Sequence, residues 1–234
     1  MKNINNDKYE AFSLVEMLLT IVIIGFVMLI SAVTLTTLIK VSTVSSNKTR
    51  VRNESEYVLE LVRKTVRNSN PSDVFIFNSK NARNYVHNKE TNTVTIESTG
   101  TQDLKTLYST PLGENEVGNE IHFRPYGYNS WVCIGYFKDR DSDKGYIVKS
   151  NVEDLLNNHE SCFASASGKF LISLNSDYVS INSFDIAYTK SPDNNYLIRF
   201  DIEAEPVFWY FAKGAPVSKK VLRQTVVKTE GLIW

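Results

Sequence analysis

The feature that most constrains this chain is a long apolar run near its N-terminus. From Met17 to Ile39, 23 consecutive residues carry no charged side chain. At about 1.5 Å per residue, a helix of that length spans roughly 35 Å, which exceeds the hydrocarbon core of a bilayer at about 30 Å. A secretory signal peptide fits less well, because its apolar part has only about 7–15 residues and ends at a small-residue cleavage site. No later segment is comparable, so the sequence predicts one membrane-spanning helix.

The helical pattern continues beyond the apolar run. Valines spaced seven and then four residues apart predict a narrow apolar stripe on one face of a helix. The stripe consists of Val44, Val51, Val58, Val62 and Val66. The segment Asn-Ser-Asn-Pro at 68–71 ends the pattern, because the residue before a proline disfavours helical geometry. We therefore expect one helix from about Phe12 to about Arg67, apolar in its first half and amphipathic in its second.

After Pro71 the pattern changes to short segments rich in β-branched and aromatic residues, separated by Gly, Asn, Asp or Pro clusters. The predicted strands are 74–78, 93–99, 120–124, 131–137, 146–149, 170–174, 183–189 and 196–204. The last two are joined by the turn-like Lys-Ser-Pro-Asp-Asn-Asn, which predicts a hairpin. The expected fold class is α+β, with a long N-terminal helix packed on a mostly antiparallel β-sheet head.

Composition excludes several classes of function. Lys and Arg together number 26, as do Asp and Glu, so a neutral net charge gives no global reason to expect a nucleic-acid partner. The sequence has no Gly-rich phosphate-binding loop and no Gly-x-Ser-x-Gly nucleophile motif. The three histidines are scattered without metal-ligand spacing. We expect a protein that is not an enzyme and has no catalytic residues.

The entry into the apolar run carries a specific motif. Residues 11–19 read Ala-Phe-Ser-Leu-Val-Glu-Met-Leu-Leu, and this segment resembles the processing site of type IV prepilins and pseudopilins. The resemblance implies that a membrane peptidase cuts between Ala11 and Phe12 and that the new N-terminus, Phe12, is then methylated. Ala11 departs from the Gly usual in the family but is also small. Val33 stands where many major pilins have Pro, which favours a minor pilin or a J-type minor pseudopilin.

Glu16 is the one acid at the start of the apolar helix. A charged side chain in the membrane interior costs about 2.5–3.5 kcal/mol on insertion scales, so it marks a function or finds a partner. If helices pack side by side with an axial offset, Glu16 of one subunit can meet the Phe12 amine of the next and set the stagger. The alternative is that Glu16 lies at the headgroup level as the edge of a signal anchor, since polar residues at span ends are ordinary.

The resemblance implies a division of the chain into four parts. These are a leader at 1–11, a transmembrane part of the helix at 12–40, an amphipathic part at 41–70 and an extracytoplasmic head at 71–234. The implied function is a minor subunit of a type IV pilus, type II secretion or competence filament. Its partners would be other pilin-like subunits, the prepilin peptidase/methyltransferase and the assembly platform. It would reside in the cytoplasmic membrane with its head outside, and then in a cell-surface or periplasmic filament.

A second function class stays open from the sequence alone. A signal-anchored extracytoplasmic binding protein, either an adhesin or a sensor, would have the same apolar helix and the same β-rich head. Such a protein would keep its first eleven residues and would not enter a filament. The N-terminus of the mature protein therefore distinguishes the two classes.

The two cysteines, Cys133 and Cys162, are too few for a disulfide scaffold and wrongly spaced for a zinc site. A head outside the cytoplasm is in an oxidising compartment, so we predict that the pair forms a disulfide. The alternative is two buried thiols, because free cysteine is commonly buried.

Three acids in the segment Lys-Asp-Arg-Asp-Ser-Asp-Lys-Gly, namely Asp139, Asp141 and Asp143, form a weak candidate calcium loop. An EF-hand would require Gly where Lys144 stands and Glu where Ser150 stands. A solvated hairpin tip is the favoured interpretation. We expect no other metal or cofactor.

Overall fold

The longest element is a helix, α1, which runs from Leu14 to Arg67. The computed structural model describes residues 13–78, 83–88, 93–95, 116–139, 142–153, 163, 171–190, 192, 196–208 and 220–229. Two compact units divide the chain, 1–45 and 46–234, and the boundary between them falls inside α1. The predicted single helix and its end at Arg67 are confirmed. Its start lies at Leu14, because Ser13 caps it.

Eleven strands follow the helix in the described part of the chain. They are β1 (Ser69–Phe77), β2 (Arg83–Asn88), β3 (Thr93–Thr95), β4 (Val117–Gly118), β5 (Glu120–Pro125), β6 (Ser130–Asp139), β7 (Gly145–Glu153), β8 (Leu171–Ser173), β9 (Val179–Lys190), β10 (Tyr196–Pro206) and β11 (Val221–Lys228). Each predicted strand has a counterpart. The strands β2, β4 and β11 are not predicted by the sequence pattern, because their residues are polar, few or alternately charged.

The larger sheet has seven strands in the order β1-β5-β6-β2-β3-β8-β7. An additional pairing of β6 with β7 closes β6, β2, β3, β8 and β7 into a ring. The pairing of β2 with β6 is parallel, and the other pairings in this sheet are antiparallel. The smaller sheet is antiparallel in the order β11-β10-β9-β4 and contains the predicted β9–β10 hairpin. The expected α+β class with a mostly antiparallel head is confirmed.

The junction between α1 and β1 differs slightly from the prediction. The strand begins at Ser69, so the last two residues of the segment predicted as amphipathic helix, 41–70, belong to β1. Ser69 Oγ donates to the Val66 carbonyl at 2.6 Å and so joins the end of the helix to the strand. Pro71 lies in a stretch where the pairing of β1 with β5 shifts register, as expected for a residue that cannot donate a ladder hydrogen bond.

The strand β6 separates two apolar cores, because successive side chains point to opposite faces. Val132, Ile134 and Tyr136 join the core that contains the valine stripe of α1. Trp131, Cys133 and Phe137 join the second core, together with residues of β7 and β8 and with Phe163. The predicted stripe is confirmed, since all five of its valines are buried. The second half of α1 is therefore held by packing on the head.

The charged face of this half of α1 is also tied to the head. Glu54 accepts hydrogen bonds from the Ser176 backbone N–H at 3.1 Å and from Ser176 Oγ at 2.7 Å. Glu56 pairs with Arg52 on the helix at 2.9 Å and with Arg223 on β11 at 3.1 Å. The hydrogen bond from Arg52 is the main cause that lowers the pKa of Glu56. Exposed or partly buried polar contacts of this kind contribute less to stability than burial of the valine stripe does.

The two sheets meet at the start of β7. Tyr136 donates its hydroxyl to the carbonyls of Ile181 and Asn182 at 3.0 Å each. The Gly145 N–H donates to Ser180 Oγ at 3.1 Å. A Cβ on Gly145 would lie 1.8 Å from the Ile181 carbonyl oxygen, so only glycine permits this approach. The contact requires a residue without a side chain at the first position of β7.

Candidate functional site at the helix N-terminus

A reciprocal set of hydrogen bonds closes the N-terminus of α1. Ser13 Oγ accepts from the Glu16 N–H at 3.2 Å. Glu16 Oε2 in turn accepts from the Ser13 N–H at 3.0 Å and from Ser13 Oγ at 3.1 Å. This is a capping box, in which N-cap and third helical residue satisfy each other's backbone donors. An acid in the first turn also suits the positive end of the helix dipole.

The capping box uses one oxygen of the Glu16 carboxylate. Both Ser13 donors reach Oε2, and Oε1 has no hydrogen-bond partner among the described residues. The Glu16 side chain is exposed in the single chain, as are the apolar residues that follow it. The cap thus orients a carboxylate at the start of the apolar helix and leaves one of its oxygens able to accept from another molecule.

From Met17 to Ile39 the helix has no charged side chain, and its apolar side chains are uncovered within the described chain. Large side chains such as Ile21, Phe26 and Ile30 are about two-thirds exposed. The helix has the length and hydropathy of a membrane span. Its Ser and Thr hydroxyls donate back to carbonyls one turn earlier, as for Thr20, Ser31, Thr34, Thr36, Thr37 and Thr43. These bonds let hydroxyls enter lipid without unsatisfied donors.

Comparison with known protein families identifies this segment. The family model described as the prokaryotic N-terminal methylation motif matches residues 6–32. The chain carries the type IV pilin signature. This N-terminal segment and the one helix of membrane-spanning length among the described residues support a membrane anchor, and the motif implies pilin-like subunits and a prepilin peptidase as partners in general. The rest of the chain is not covered by this match, and neither the curated proteins nor the solved structures give a match.

The predicted processing residues lie within the matched segment. Ala11 and Phe12 fall outside the described residues, so cleavage between them and methylation of Phe12 stay predictions. Glu16 is the member of the predicted site that the structure describes. Ser13 was not predicted as a functional residue, although the pattern Ser-x-x-Glu at 13–16 is the sequence signal of a capping box.

The remaining sequence-predicted residues lie in the head. Cys133 is buried on β6 and is disulfide-bonded. Cys162 is the other cysteine of the sequence and lies outside the described residues, so the pairing of the two stays a prediction. Across from Cys133 on β5, buried His122 lies 2.6 Å from Glu120, with Nε2 facing Oε1. The alternation Glu-x-His in a strand places both side chains on one face, so this pair could have been predicted from the sequence.

The candidate calcium loop is the hairpin tip between β6 and β7, as the favoured interpretation predicts. Asp143 Oδ1 lies 3.2 Å from Lys138 Nζ, and Asp139 accepts from Ser142. Asp141 lies outside the described residues. Among those that are described, no group of three or more His, Cys, Asp or Glu side chains could hold a metal ion. The weak calcium candidate formed by Asp139, Asp141 and Asp143 is not tested by the described residues.

Proposed function

We propose that this chain is a minor subunit of a type IV pilus-like filament, serving a pilus, a type II secretion system or a competence system. In this proposal a prepilin peptidase removes residues 1–11 and the amine of Phe12 is methylated. The subunit then leaves the membrane and packs its helix among those of other pilin-like subunits at an assembly platform. The head performs no catalysis, and the processing chemistry belongs to the peptidase.

The observation that carries this proposal is the carboxylate of Glu16 at the start of an uncovered apolar helix. The next charged residue along the helix is Lys40. A lone carboxylate is costly in an apolar helical core unless it gains a partner. Glu16 Oε1 has no partner among the described residues, which supports a role for an outside donor. A cleaved subunit offers such a donor in its N-terminal amine.

The chemistry of assembly follows from these groups. The amine at Phe12 of one subunit would donate to Glu16 of its neighbour and neutralise both charges. The pair forms only at one axial offset between two helices, so it would set the stagger of the filament. Close packing of apolar side chains then replaces lipid around the helix.

The processing step is tested by N-terminal mass spectrometry of the chain from its native host, with and without the prepilin peptidase. We expect a mature chain that begins at N-methylated Phe12 in wild-type cells and a full-length chain in the peptidase mutant. A chain that retains residues 1–11 in both would contradict the proposal. That result would favour the signal-anchored binding protein, which needs no cleavage.

The assembly step is tested by Glu16→Ala. Charged hydrogen bonds contribute about 1.5–3 kcal/mol, so we expect filament incorporation to fall by about tenfold or more. Membrane insertion should be unchanged, because the substitution makes the span more apolar. The control is Glu60→Ala, which removes an exposed acid paired with Arg63 at 2.7 Å on the same helix. Equal incorporation of both variants and wild type would refute the charge pair.

A further inference from the structure

The three hydrogen bonds between Ser13 and Glu16 serve different groups. The bond from the Glu16 N–H to Ser13 Oγ, at 3.2 Å, satisfies a backbone donor at the helix end. The bond from the Ser13 N–H to Glu16 Oε2, at 3.0 Å, satisfies a second one. The third bond, from Ser13 Oγ to the same Oε2 at 3.1 Å, joins two side chains. A cap for the backbone does not require this third bond.

Ser13 is also the source of the donors that hold the Glu16 carboxylate within the described part of the chain. The hydroxyl of Thr20, one turn further along the helix, donates to the Glu16 carbonyl and not to its side chain. From Met17 to Ile39 the helix has no charged side chain that could pair with the acid. The orientation of the carboxylate therefore depends on Ser13.

Two donors on one oxygen leave the other oxygen fixed in direction. A glutamate side chain has several rotatable bonds and loses much conformational freedom when it is held in a contact. In this chain Ser13 has already restricted that freedom before a second molecule arrives. An ionised carboxylate accepts hydrogen bonds at both oxygens, so a donor to Oε1 does not have to displace Ser13 from Oε2.

We infer that Ser13 is a positioning residue for filament assembly, which holds Glu16 Oε2 and thereby presents Oε1 to the amine of an incoming subunit. This inference rests on the proposed function, in which Glu16 pairs with the amine of Phe12. Preorganisation reduces the ordering that accompanies association and so favours the pair.

Glycine at position 13 separates this role from helix capping. Replacing an N-cap serine by glycine weakens a helix much less than replacing it by alanine. Ser13→Gly therefore keeps most of the cap but removes the hydroxyl that donates to Oε2. Ser13→Thr keeps both the cap and the donor. The matched control is Ser31→Ala, which removes a hydroxyl of the same helix that donates to the Val27 carbonyl at 2.7 Å.

The experiment measures incorporation of the full chain into filaments of its native host, per mature subunit counted by N-terminal mass spectrometry. We expect Ser13→Ala and Ser13→Gly to reduce incorporation at least threefold. Ser13→Thr and Ser31→Ala should stay within about twofold of the wild type. Hydrogen–deuterium exchange in micelles should show a first turn close to the wild type in Ser13→Gly.

Three results would overturn the inference. Wild-type incorporation of Ser13→Gly beside a loss in Ser13→Ala would show that Ser13 only caps the helix. An equal loss in Ser31→Ala would show a general need for hydroxyl groups in the span. Absence of the mature form in Ser13→Gly would assign Ser13 to recognition by the peptidase.

A double variant tests whether Ser13 acts through Glu16. Ser13→Ala combined with Glu16→Ala should be incorporated within about twofold of Glu16→Ala alone, because the group that Ser13 positions is already absent. Losses that add in the double variant would contradict the inference, since Ser13 would then act by another route.

The same measurements distinguish failure of this inference from failure of the proposed function. Normal incorporation of the Ser13 variants beside a tenfold loss in Glu16→Ala overturns the positioning role and leaves the charge pair standing. Normal incorporation of Glu16→Ala refutes the charge pair, and the positioning role with it.

Discussion

The two halves of α1 are one continuous helix, yet their side chains meet different surroundings. Before residue 42 the apolar side chains are exposed in the described chain. After residue 45 a stripe of four valines is buried in the head and charged residues line the other face. Lipid enforces helix in the first half because it offers no partners to backbone groups. Packing enforces helix in the second. Substitutions in the first half should therefore alter insertion or assembly, and those in the second should alter folding.

The largest difference is expected between alanine substitutions at two glycines, one in the head and one in the apolar half of α1. Gly145→Ala would place a Cβ 1.8 Å from the Ile181 carbonyl oxygen and 2.8 Å from the Tyr136 ring. We expect a loss of about 4 kcal/mol or more in the free energy of unfolding of the head, because backbone must move. Urea unfolding in detergent micelles, followed by near-ultraviolet circular dichroism, measures it.

The control for this substitution is Gly25→Ala in the apolar half, where a Cβ meets nothing within 4 Å. Alanine is a better helix former than glycine, so the helix of the single chain should be retained or stabilised by up to about 1 kcal/mol. The head should unfold at the wild-type urea concentration. Destabilisation of the head by Gly25→Ala would show that the two halves are not independent.

A second, smaller effect is expected from a matched pair of valines. Val58 is completely buried in the core, whereas Val33 is 62% exposed. Val58→Ala removes two buried methyl groups and leaves a cavity, so we expect the head to lose about 2 kcal/mol of unfolding free energy. Val33→Ala should change it by less than about 0.5 kcal/mol. Similar losses of unfolding free energy in both variants, measured by the same urea titration, would contradict the difference between the two halves of α1.

A third effect concerns pH and is confined to the head. Burial raises the pKa of Tyr136 to about 12. Burial also raises the pKa of Tyr146, with the Asp177 hydrogen bond adding to it. Since unfolded tyrosine ionises near pH 10, the unfolded chain releases these protons first, and stability falls as pH rises from about 10 to 12. The contribution is fully present below pH 10.

Urea titrations between pH 8 and 11.5 check this prediction. Tyr136→Phe should lose less unfolding free energy than the wild type at alkaline pH, because the variant has no proton to lose at that position. Tyr146 would still contribute, so the fall should not vanish. The exposed tyrosine variant Tyr128→Phe should follow the wild-type curve. If the stability of Tyr136→Phe falls with pH as steeply as that of the wild type, Tyr136 does not contribute to the alkaline loss of stability.

The smallest effect is expected at the capping box. Ser13→Ala removes the N-cap hydroxyl and should cost about 1 kcal/mol of local stability, or about fivefold faster amide exchange in the first turn of the helix. Ser13→Thr retains a capping hydroxyl and should behave like wild type. Neither variant should shift the urea midpoint of the head. Hydrogen–deuterium exchange in micelles resolves the first turn, and unchanged exchange in Ser13→Ala would exclude a capping role.

Local pattern predicted some of this structure well. The charge-free run and the valine stripe specify a helix, and Asn-Ser-Asn-Pro at 68–71 marks its end within one residue. The β9–β10 hairpin follows from two alternating segments joined by a polar turn. Strand β11 was missed because Arg, Gln and Lys interrupt its apolar residues. Only pairing with β10 along its whole length identifies it as a strand.

Functional residues and long-range contacts also differ in whether the sequence could predict them. Glu16 was predicted from its place at the start of the apolar helix, and Ser13 could have been predicted from its spacing to Glu16. The hydrogen bond from Asn47 on α1 to the Phe208 carbonyl could not, because the two residues are far apart in sequence. A contact of that kind depends on how β9 and β10 run beside the helix.

The sequence by itself determined the membrane span, the length of α1, the buried stripe and the pilin-type motif. Each of these depends on residues close together in the chain, whose spacing sets the helix face or the local cap. Only the tertiary structure decided the parallel pairing of β2 with β6, the ring closed by β6 and β7, and the glycine contact at residue 145. These features join residues far apart in sequence, and many pairings satisfy the same local alternation, so the packed core selects among them.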